Sequence, residues 1–412
     1  MSSRTVAVFF SLVTVVAASA SWQTDREQAL REHAAGNYRE SERLFRSALE
    51  ALKQSAPSDP HIPEILNDLG ADCHLLGKYS EAERLYEDAL SAWRSHPATP
   101  ADLVARGLSN LATAYRALAR YHEAEAAYRD ALHTLRGARQ YAAQYAFTLS
   151  NLADLYRTQD DPAHGLKLAK RAVTMLEDVG ESTGSRLAYS VQTLAAIERA
   201  LGDLEEAGNL YRKALALTVA QNGEDHPATA AVKINLADID LKLGRYAEAE
   251  ALSREAMTIW QRKLGPAHPR VGVAAANLAQ ALRFQERYSE AASELDKALE
   301  IVQGADRVRC LSNYADMSHQ QGKVTQAVDF YRKALDEAQR SFGADHPQTA
   351  LIMTRLAEVR RSQGLYAESV KLYRRALPIL EAAGASEVED LRAARKQYDD
   401  TLKEASRTML LR

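Results

Sequence analysis

Asparagines recur at one position of a long repeating pattern in this chain. Each lies nine residues before a short turn, within a segment whose apolar residues have helical spacing. An amide offers a hydrogen-bond donor and an acceptor together, so a row of amides could hold the backbone of an extended peptide. Two alternatives remain open, which are bonds between adjacent helices and simple exposure to water. The candidate peptide-binding asparagines are Asn110, Asn151, Asn235, Asn277 and Asn313.

Arginines on the same segments predict a partner that carries carboxylates. Arg116, Arg199 and Arg283 lie three residues before a turn, and the residue three positions earlier is not acidic. No same-helix ion pair is expected for them, which leaves each guanidinium free to meet an acidic group. Arg106 and Arg309 are expected to open onto the same groove. A solvated basic stripe is the alternative interpretation.

Two other arginines at this turn position are expected to form ordinary surface pairs. Arg157 follows Asp154 by three residues, and Arg361 follows Glu358 by three. This spacing brings opposite charges together on one helix. We therefore leave these two arginines out of the candidate binding set.

Sequence motifs favour a protein without catalytic activity. The chain has no Gly-Lys-Ser/Thr phosphate loop, no Gly-x-Ser-x-Gly elbow and no Cys-x-x-Cys. Histidine–proline pairs recur, but one imidazole per repeat is too sparse for a metal shell, and each proline suits a first helical turn. We expect no metal and no cofactor. The pairs are His96 with Pro97, His226 with Pro227, His268 with Pro269, and His346 with Pro347.

Composition excludes several classes of protein. The 412 residues are 46% hydrophobic and 26% charged, which is ordinary for a soluble folded chain. A net charge of −3 gives no global attraction to nucleic acid or anionic lipid. Two cysteines are too few for a disulfide scaffold. Because Cys73 and Cys310 belong to distant repeats, we expect both to be unpaired and mostly buried.

The first twenty residues have the pattern of a secretory signal peptide. A short basic start precedes an apolar run at 6–18, and Ala18 and Ala20 supply the small residues of a cleavage site. The apolar run is shorter than the roughly 20 residues that a spanning helix needs. We expect an exported protein, periplasmic or secreted, without a membrane span after cleavage. An uncleaved N-terminal anchor is the alternative.

The remainder of the chain is a repeat array. Its short turns recur at intervals of 41 or 42 residues, with one interval of 36, and such a period predicts a solenoid. Small residues lie seven positions before each turn and five and twelve positions after it, which would let two helices cross closely. Tyrosines two and nine positions after the turn are expected in the core. The turns are centred on Gly36, Gly77, Ala119, Asp160, Gly202, Gly244, Glu286, Gly322 and Gly364.

This pattern resembles the tetratricopeptide repeat over about residues 24–380, as in LSNLATAYRALARYHEAEAAYRDAL at 108–132. The 42-residue period and the histidine–proline phrases are similar to the kinesin-light-chain type, which many bacterial proteins also contain. The resemblance implies an all-α fold, a right-handed superhelical α-solenoid of about nine helix pairs. It also implies a concave peptide-binding groove, with the asparagine position facing it.

Two repeats depart from the pattern. The fourth has Asp161 and Pro162 at its turn and Gly165 in place of alanine, so its second helix is expected to start late. The 36-residue interval separates the seventh and eighth repeats. We interpret it as a local change of curvature and not as a domain boundary.

A final helix is predicted over 386–412. Ser386 and Glu389 form a capping box at its start. The last repeat of a solenoid leaves a hydrophobic face open, and an amphipathic helix at this point would close it. The predicted organisation is thus a signal peptide at 1–20, an array at 24–380 and a capping helix at 386–412.

The sequence therefore favours a non-enzymatic scaffold that acts outside the cytoplasm and binds a peptide or protein segment in its groove. The arginines favour an acidic segment. A structural spacer or self-assembling subunit that acts through its ends or convex face is the alternative. A hydrolase site assembled from distant repeats is the third hypothesis. Nucleic acid is not an expected partner.

Overall fold

The computed structural model describes residues 22–159, 161–180, 184–383 and 388–410, and in these ranges the secondary structure is entirely helical. The predicted signal peptide, the turn residue Asp160 and the capping-box residue Ser386 lie outside the described residues. Within the described ranges, no helix is long and apolar enough to cross a membrane. The predicted fold class, an α-solenoid of helix pairs followed by a C-terminal helix, is confirmed.

The chain divides into two compact bodies, residues 1–232 and 233–412, and the division falls inside the first helix of the sixth repeat. The interval between the seventh and eighth repeats lies within the second body. The first body contains α1 (22–34), α2 (Tyr38–Ser55), α3 (Ile62–Leu75), α4 (Tyr79–Arg94), α5 (Ala101–Ala117), α6 (Tyr121–Leu135), a 3₁₀ turn (Arg139–Tyr141), α7 (Ala142–Thr158), α8 (Pro162–Asp178), α9 (Ser185–Ala200), α10 (Leu204–Asn222) and the start of α11 (Pro227–Lys242).

The second body contains the remainder of α11 and eight further helices. Odd-numbered helices up to α17 are the first helices of their repeats, and even-numbered helices are the second. They are α12 (Tyr246–Leu264), α13 (Pro269–Phe284), α14 (Tyr288–Ile301), α15 (Gly304–Gln320), α16 (Val324–Phe342), α17 (Pro347–Ser362), α18 (Tyr366–Ala383) and α19 (Val388–Leu410).

The turn inside each repeat needs one left-handed residue. Gly77, for example, has a φ of 80°, and the next residue, Lys78, donates its backbone N–H to the carbonyl of Cys73 at 2.8 Å. This backward bond satisfies a carbonyl at the end of the first helix. Ala119 and Glu286 adopt the same conformation, with φ of 60° and 61°, although each has a Cβ.

The two helices of a repeat cross at the small residues. The alanines at the three predicted positions are fully or almost fully buried, from Ala29 to Ala376. Where serine replaces alanine five residues after the turn, its hydroxyl donates to the carbonyl of the facing small residue, as Ser41 does to Ala29 at 2.8 Å. At the equivalent Gly165, an added Cβ would lie 2.7 Å from the carbonyl oxygen of Ala153.

The prediction for the fourth repeat is wrong. Its second helix α8 begins at Pro162, two residues after the turn position, just as α6 begins two residues after Ala119. Proline suits the first helical position because it lacks an N–H that would remain unpaired there. The Asp161 carboxylate caps the helix by accepting the backbone N–H of His164 at 3.1 Å.

Three of the four histidines of the histidine–proline pairs are helix caps, namely His226, His268 and His346. The Nδ1 atom of His268 accepts the backbone N–H of Arg270 at 3.2 Å, and His346 accepts that of Gln348 at 3.1 Å. His96 differs, because α5 begins at Ala101 and the proline after His96 starts no helix. The expected helical proline at position 97 is therefore wrong.

The tyrosines fall into two groups. Those nine residues after the turn are buried, as predicted, and Tyr128 is fully enclosed. Of those two residues after the turn, Tyr38 is buried, four are half-buried and Tyr79 has 37% of its area exposed, so the core prediction is confirmed for Tyr38 and wrong for Tyr79. A residue in the first turn of a helix that follows a tight connection has few neighbours to cover it.

Both cysteines are free and buried, as predicted. Burial raises the pKa of the Cys310 thiol to about 11.

At the end of the array, α19 packs on α18 and α17. Ala394 is buried there, with Leu391 and Tyr398 packed beside it.

Replacing the two non-glycine turn residues should stabilise the protein. An L-residue in the left-handed region costs about 1–2 kcal/mol, which substitution by glycine would remove. Part of that gain is lost, because glycine has a larger conformational entropy in the unfolded state. Ala119→Gly and Glu286→Gly should each raise the free energy of unfolding by about 0.5–1 kcal/mol in urea titrations. Ala126→Gly, at an exposed position inside α6, should lower it by about 1 kcal/mol. A loss of stability in both turn variants would contradict this account.

Enlarging a small residue at a crossing should be destabilising. Ala237 is fully buried and packs in a cluster with Leu241, Ala249 and Ala281. Ala237→Leu should lower stability by roughly 1–3 kcal/mol, with hydrogen exchange accelerated around the sixth repeat. The control Ala251→Leu, exposed on α12, should have little effect. Equal acceleration along the whole chain would refute local overpacking.

Candidate functional site

First helices of neighbouring repeats lie side by side within each body. In the first body, α5 contacts α7, and α7 contacts α9. Buried hydroxyl pairs join these helices, with Ser109 to Thr148 at 3.0 Å and Ser150 to Ser190 at 2.7 Å. The polar residues predicted for binding stand on this layer, which we call the first-helix face.

Two of the candidate asparagines bond between adjacent first helices. Asn110 Nδ2 donates to Asn67 Oδ1 of the preceding repeat at 3.0 Å. Asn277 Oδ1 accepts from Arg309 Nη1 of the following repeat at 2.6 Å. At these positions the structure favours the alternative in which the amides bond adjacent helices together.

Burial separates the other asparagines. Asn151 and Asn313 are buried, whereas Asn235 is half-buried and already interacts within the chain. The Nδ2 atom of Asn313 is buried without a hydrogen-bond acceptor among the described residues. The five amides therefore do not form a uniform row of exposed groups, because their environments differ from repeat to repeat.

Arg116 is not free, and this part of the prediction is wrong. Its Nη1 forms an ion pair with the Asp154 carboxylate on the first helix of the next repeat. Asp154 also accepts from Arg157 Nε at 2.8 Å, which confirms the predicted same-helix pair. Burial lowers the pKa of the Arg116 guanidinium, but the charges of Tyr189 and Asp154 outweigh burial and raise it above its usual range.

Arg283 occupies the matching position in the second body. Only 7% of it is exposed, and its Nη2 lies 3.9 Å from Asp316 Oδ2 on the next first helix. The guanidinium also lies 4.3 Å from the ring centroid of Phe284. Burial lowers the pKa of Arg283, opposed by Asp316 and reinforced by the positive charge of Arg355.

Asp316 joins several elements of this body. Its carboxylate accepts the hydroxyl of Tyr331, one of the buried tyrosines of the second helices. Arg355 Nη1, on the following first helix, lies 3.4 Å from both carboxylate oxygens. Asp316 therefore connects the first helices of three successive repeats.

Sequence reasoning missed the acidic position of the first-helix face. Asp154, Asp316 and Glu358 all lie six residues before a turn, and the sequence prediction assigned same-helix partners to Asp154 and Glu358 alone. The available signal was the combination of an acid at this position with an arginine three residues before the previous turn. That combination predicts a pair across the repeat boundary, which the structure shows for Arg116 and Arg283.

The predicted pair of Arg361 with Glu358 is wrong. Arg361 Nη1 lies 3.3 Å from Glu404 Oε1 on α19, while Glu358 accepts from the amide of Gln397 on the same helix. Burial raises the pKa of Glu358, partly opposed by Arg355 and Arg361. The terminal helix thus supplies the charge partners that another repeat supplies elsewhere.

The remaining arginines are placed differently. The guanidinium carbon of Arg106 lies 5.6 Å from the Trp93 ring centroid, within the range of a cation–π interaction. Arg309, besides its bond to Asn277, lies 3.5 Å from Asp306 on its own helix. Arg199 is half-buried and interacts within the chain.

Several donor atoms on this face are buried without an acceptor among the described residues. They are Arg106 Nε and Arg116 Nε in the first body, and Arg283 Nε and Asn313 Nδ2 in the second. A buried donor without an acceptor costs about 1–3 kcal/mol. A rotation of these side chains toward a ligand with carbonyl or carboxylate oxygens would recover that free energy.

One cluster has the ligand types of a metal site. Oxygens of Glu42 and Glu81 and the Cys73 sulfur lie within 4.8 Å of one another. Arg46 already pairs with both carboxylates, and Lys78 bonds Glu42 at 2.7 Å. Burial, with the two carboxylates adding, raises the pKa of the Cys73 thiol to about 12. These groups form an ion-pair cluster between the first two repeats, and they do not fit a metal ion.

Comparison with solved structures places the fold among known repeat proteins. A Rap protein in complex with Competence and Sporulation Factor aligns with a TM-score of 0.59 and 14% identity, covering 92% of this chain and 99% of that one. The apo form of RapI gives 0.55 and 13%, covering 87% and 97%. A tetratricopeptide repeat protein from Parabacteroides merdae gives 0.50 and 14%, covering 72% and 98%. At these identities the similarity concerns the fold. No curated protein matches the sequence.

The family assignment rests on the repeats themselves. A family model described as tetratricopeptide repeat matches residues 23–95, 186–252, 229–304 and 307–382, and a second model with the same description matches 104–138. Together these matches cover well over half of the chain, in agreement with the helix pairs and their crossings. The chain belongs to the tetratricopeptide repeat family.

Proposed function

We propose that this protein is a non-enzymatic scaffold that binds an extended segment of a partner protein along the first-helix face of one of its two bodies. The observation that carries the proposal is the set of buried donor atoms without acceptors on that face, Arg106 Nε, Arg116 Nε, Arg283 Nε and Asn313 Nδ2. A peptide backbone presents a carbonyl at every residue, so it is a suitable source of the missing acceptors. The family is typically one of interaction scaffolds, which agrees with this reading.

An acidic ligand segment fits the same face. Four of the first helices carry the candidate arginines, and a carboxylate accepts two N–H groups of one guanidinium at once. Arg106 is the most suitable of these residues, since it is half-buried and no described carboxylate lies within ion-pair distance of it, although its charge partly opposes the burial that raises the pKa of Asp68. One of the solved structures with a similar fold is a Rap protein complexed with Competence and Sporulation Factor.

Substitution of Arg106 should weaken the binding of acidic segments. Peptides are first selected from a displayed random library on the immobilised full-length protein, and the enriched sequences should carry carboxylates. Arg106→Gln should then reduce affinity for a selected peptide by about tenfold, the effect of one charge-assisted hydrogen bond, and should lower the association rate and its dependence on salt. Isothermal titration calorimetry and stopped-flow mixing measure the two effects.

The matched control is Arg332→Gln, exposed on the second helix α16. It removes the same charge away from the first-helix face, and its affinity should equal that of the original protein. Equal losses in both variants would place the ligand elsewhere. Self-association without any selected ligand would favour the spacer hypothesis instead.

We further propose that the protein is exported, on the basis of the sequence at 1–20. Expression with its own N-terminus in a bacterial host should give a mature chain that begins at Ser21, as read by N-terminal sequencing. Replacing the apolar residues at 6–18 by polar ones should retain the protein in the cytoplasm. A mature chain that still begins at Met1 would refute cleavage.

A further inference from the structure

A basic cleft lies between the third and fourth repeats, in the first body. It has a volume of about 610 Å³ and is formed by the end of α6, the connection at 136–141, the start of α7 and the middle of α8. Five cationic or imidazole side chains surround it, and none of the residues that line it is acidic. They are Arg129, His133, Arg136, Arg139 and Arg171.

Three of these guanidiniums have no charge partner among the described residues. Arg136 and Arg139 are exposed and make no side-chain hydrogen bond or ion pair there, and Arg171 only faces the ring of Tyr145 at 5.8 Å. Arg129 differs, since it pairs with Glu125 at 2.7 Å. Elsewhere in this protein exposed arginines commonly form ion pairs, so three unpaired guanidiniums around one cleft form a concentrated positive site.

The cleft also has an apolar floor. Leu132, Tyr145 and Met175 line it and are half-buried, and Leu135 below them is buried. Clefts of about 300–1,000 Å³ with an apolar lining and a few polar groups are typical of small-molecule sites. The N-terminus of α7 lies beside the cleft, and its first turn contains no acidic residue. The partial positive charge of this helix N-terminus adds to that of the arginines.

We propose that this cleft binds a small soluble ligand that carries an oligophosphate group on an apolar or aromatic body. Three unpaired guanidiniums match the three or four negative charges of a di- or triphosphate, whereas a single carboxylate would leave most of the positive charge unbalanced. Arginine is suited to phosphate because its planar fork donates two N–H groups in parallel. The apolar floor accounts for the organic part of the ligand. This site is separate from the binding residues predicted on the first-helix face, since none of those asparagines and arginines lines the cleft.

Calorimetric titration of the full-length protein tests the proposal with three probes, which are ATP, inorganic tripolyphosphate and hexaglutamate. ATP should bind with one-to-one stoichiometry and more tightly than tripolyphosphate, because only ATP also covers the apolar floor. The double variant Arg136→Gln with Arg139→Gln should weaken ATP binding by at least about tenfold. Tyr145→Ala should reduce the difference between ATP and tripolyphosphate, since it removes part of the floor.

The control is the double variant Arg332→Gln with Arg375→Gln, which removes two exposed arginines from α16 and α18. It makes the same change in net charge, and ATP binding should be unaffected. Equal weakening in both double variants, or no binding of either phosphate probe, would overturn the proposal. Tighter binding of hexaglutamate than of tripolyphosphate would assign the cleft to an acidic peptide. In a separate cosedimentation experiment, tight binding to vesicles of anionic lipid that ATP does not displace would assign the cleft to a membrane surface.

Discussion

The close crossing of two helices at small residues is the contact on which the remainder of this structure depends. Ala153 and Gly165 meet so closely that a methyl group at the glycine would touch the carbonyl opposite. Where a serine is used, as at Ser41, its hydroxyl bonds that same carbonyl. Because close packing leaves little freedom of position, this contact fixes the register of each second helix against its first. The other repeated positions of the two helices are then fixed relative to one another.

The polar face follows from that register. Because each second helix packs on its first helix, the first helices of adjacent repeats lie side by side. A residue three positions before one turn then meets a residue six positions before the next turn, across the repeat boundary. Arg116 thereby reaches Asp154, and Tyr331 reaches Asp316 from the second helix of its own repeat. Polar groups in a partly buried layer need partners. Pairs across the boundary supply them, and they also join one repeat to the next.

Much of the fold could be read from the sequence, because each repeat restates the same local rules. Left-handed turns, buried small residues and buried tyrosines nine positions after the turn follow from periodicity and residue size. The details that failed depend on the neighbouring repeat. The asparagine row was expected to face a ligand, yet Asn110 and Asn277 bond across to Asn67 and Arg309. Sequence spacing shows which residues share a helix, but it does not measure the distance between two helices. The charge partners of Arg116 and Arg361 were misjudged for this reason. The basic cleft near Arg136 was missed because it combines a connection with helices of two repeats.

The first-helix face already contains acidic side chains of this protein, Asp154 and Asp316, beside its arginines. A carboxylate that arrives at Arg116 or Arg283 meets a guanidinium that already faces Asp154 or Asp316, so it must replace an internal partner. Such an exchange conserves the number of ion pairs and returns little net electrostatic free energy from any single contact. The remaining gain would come from donors that the internal pairs leave unused, such as Arg106 Nε in the first body and Asn313 Nδ2 in the second. A lone acidic side chain would therefore be a poor competitor. Under the proposed function, a ligand segment that contacts several successive first helices of one body should bind more tightly than a short segment.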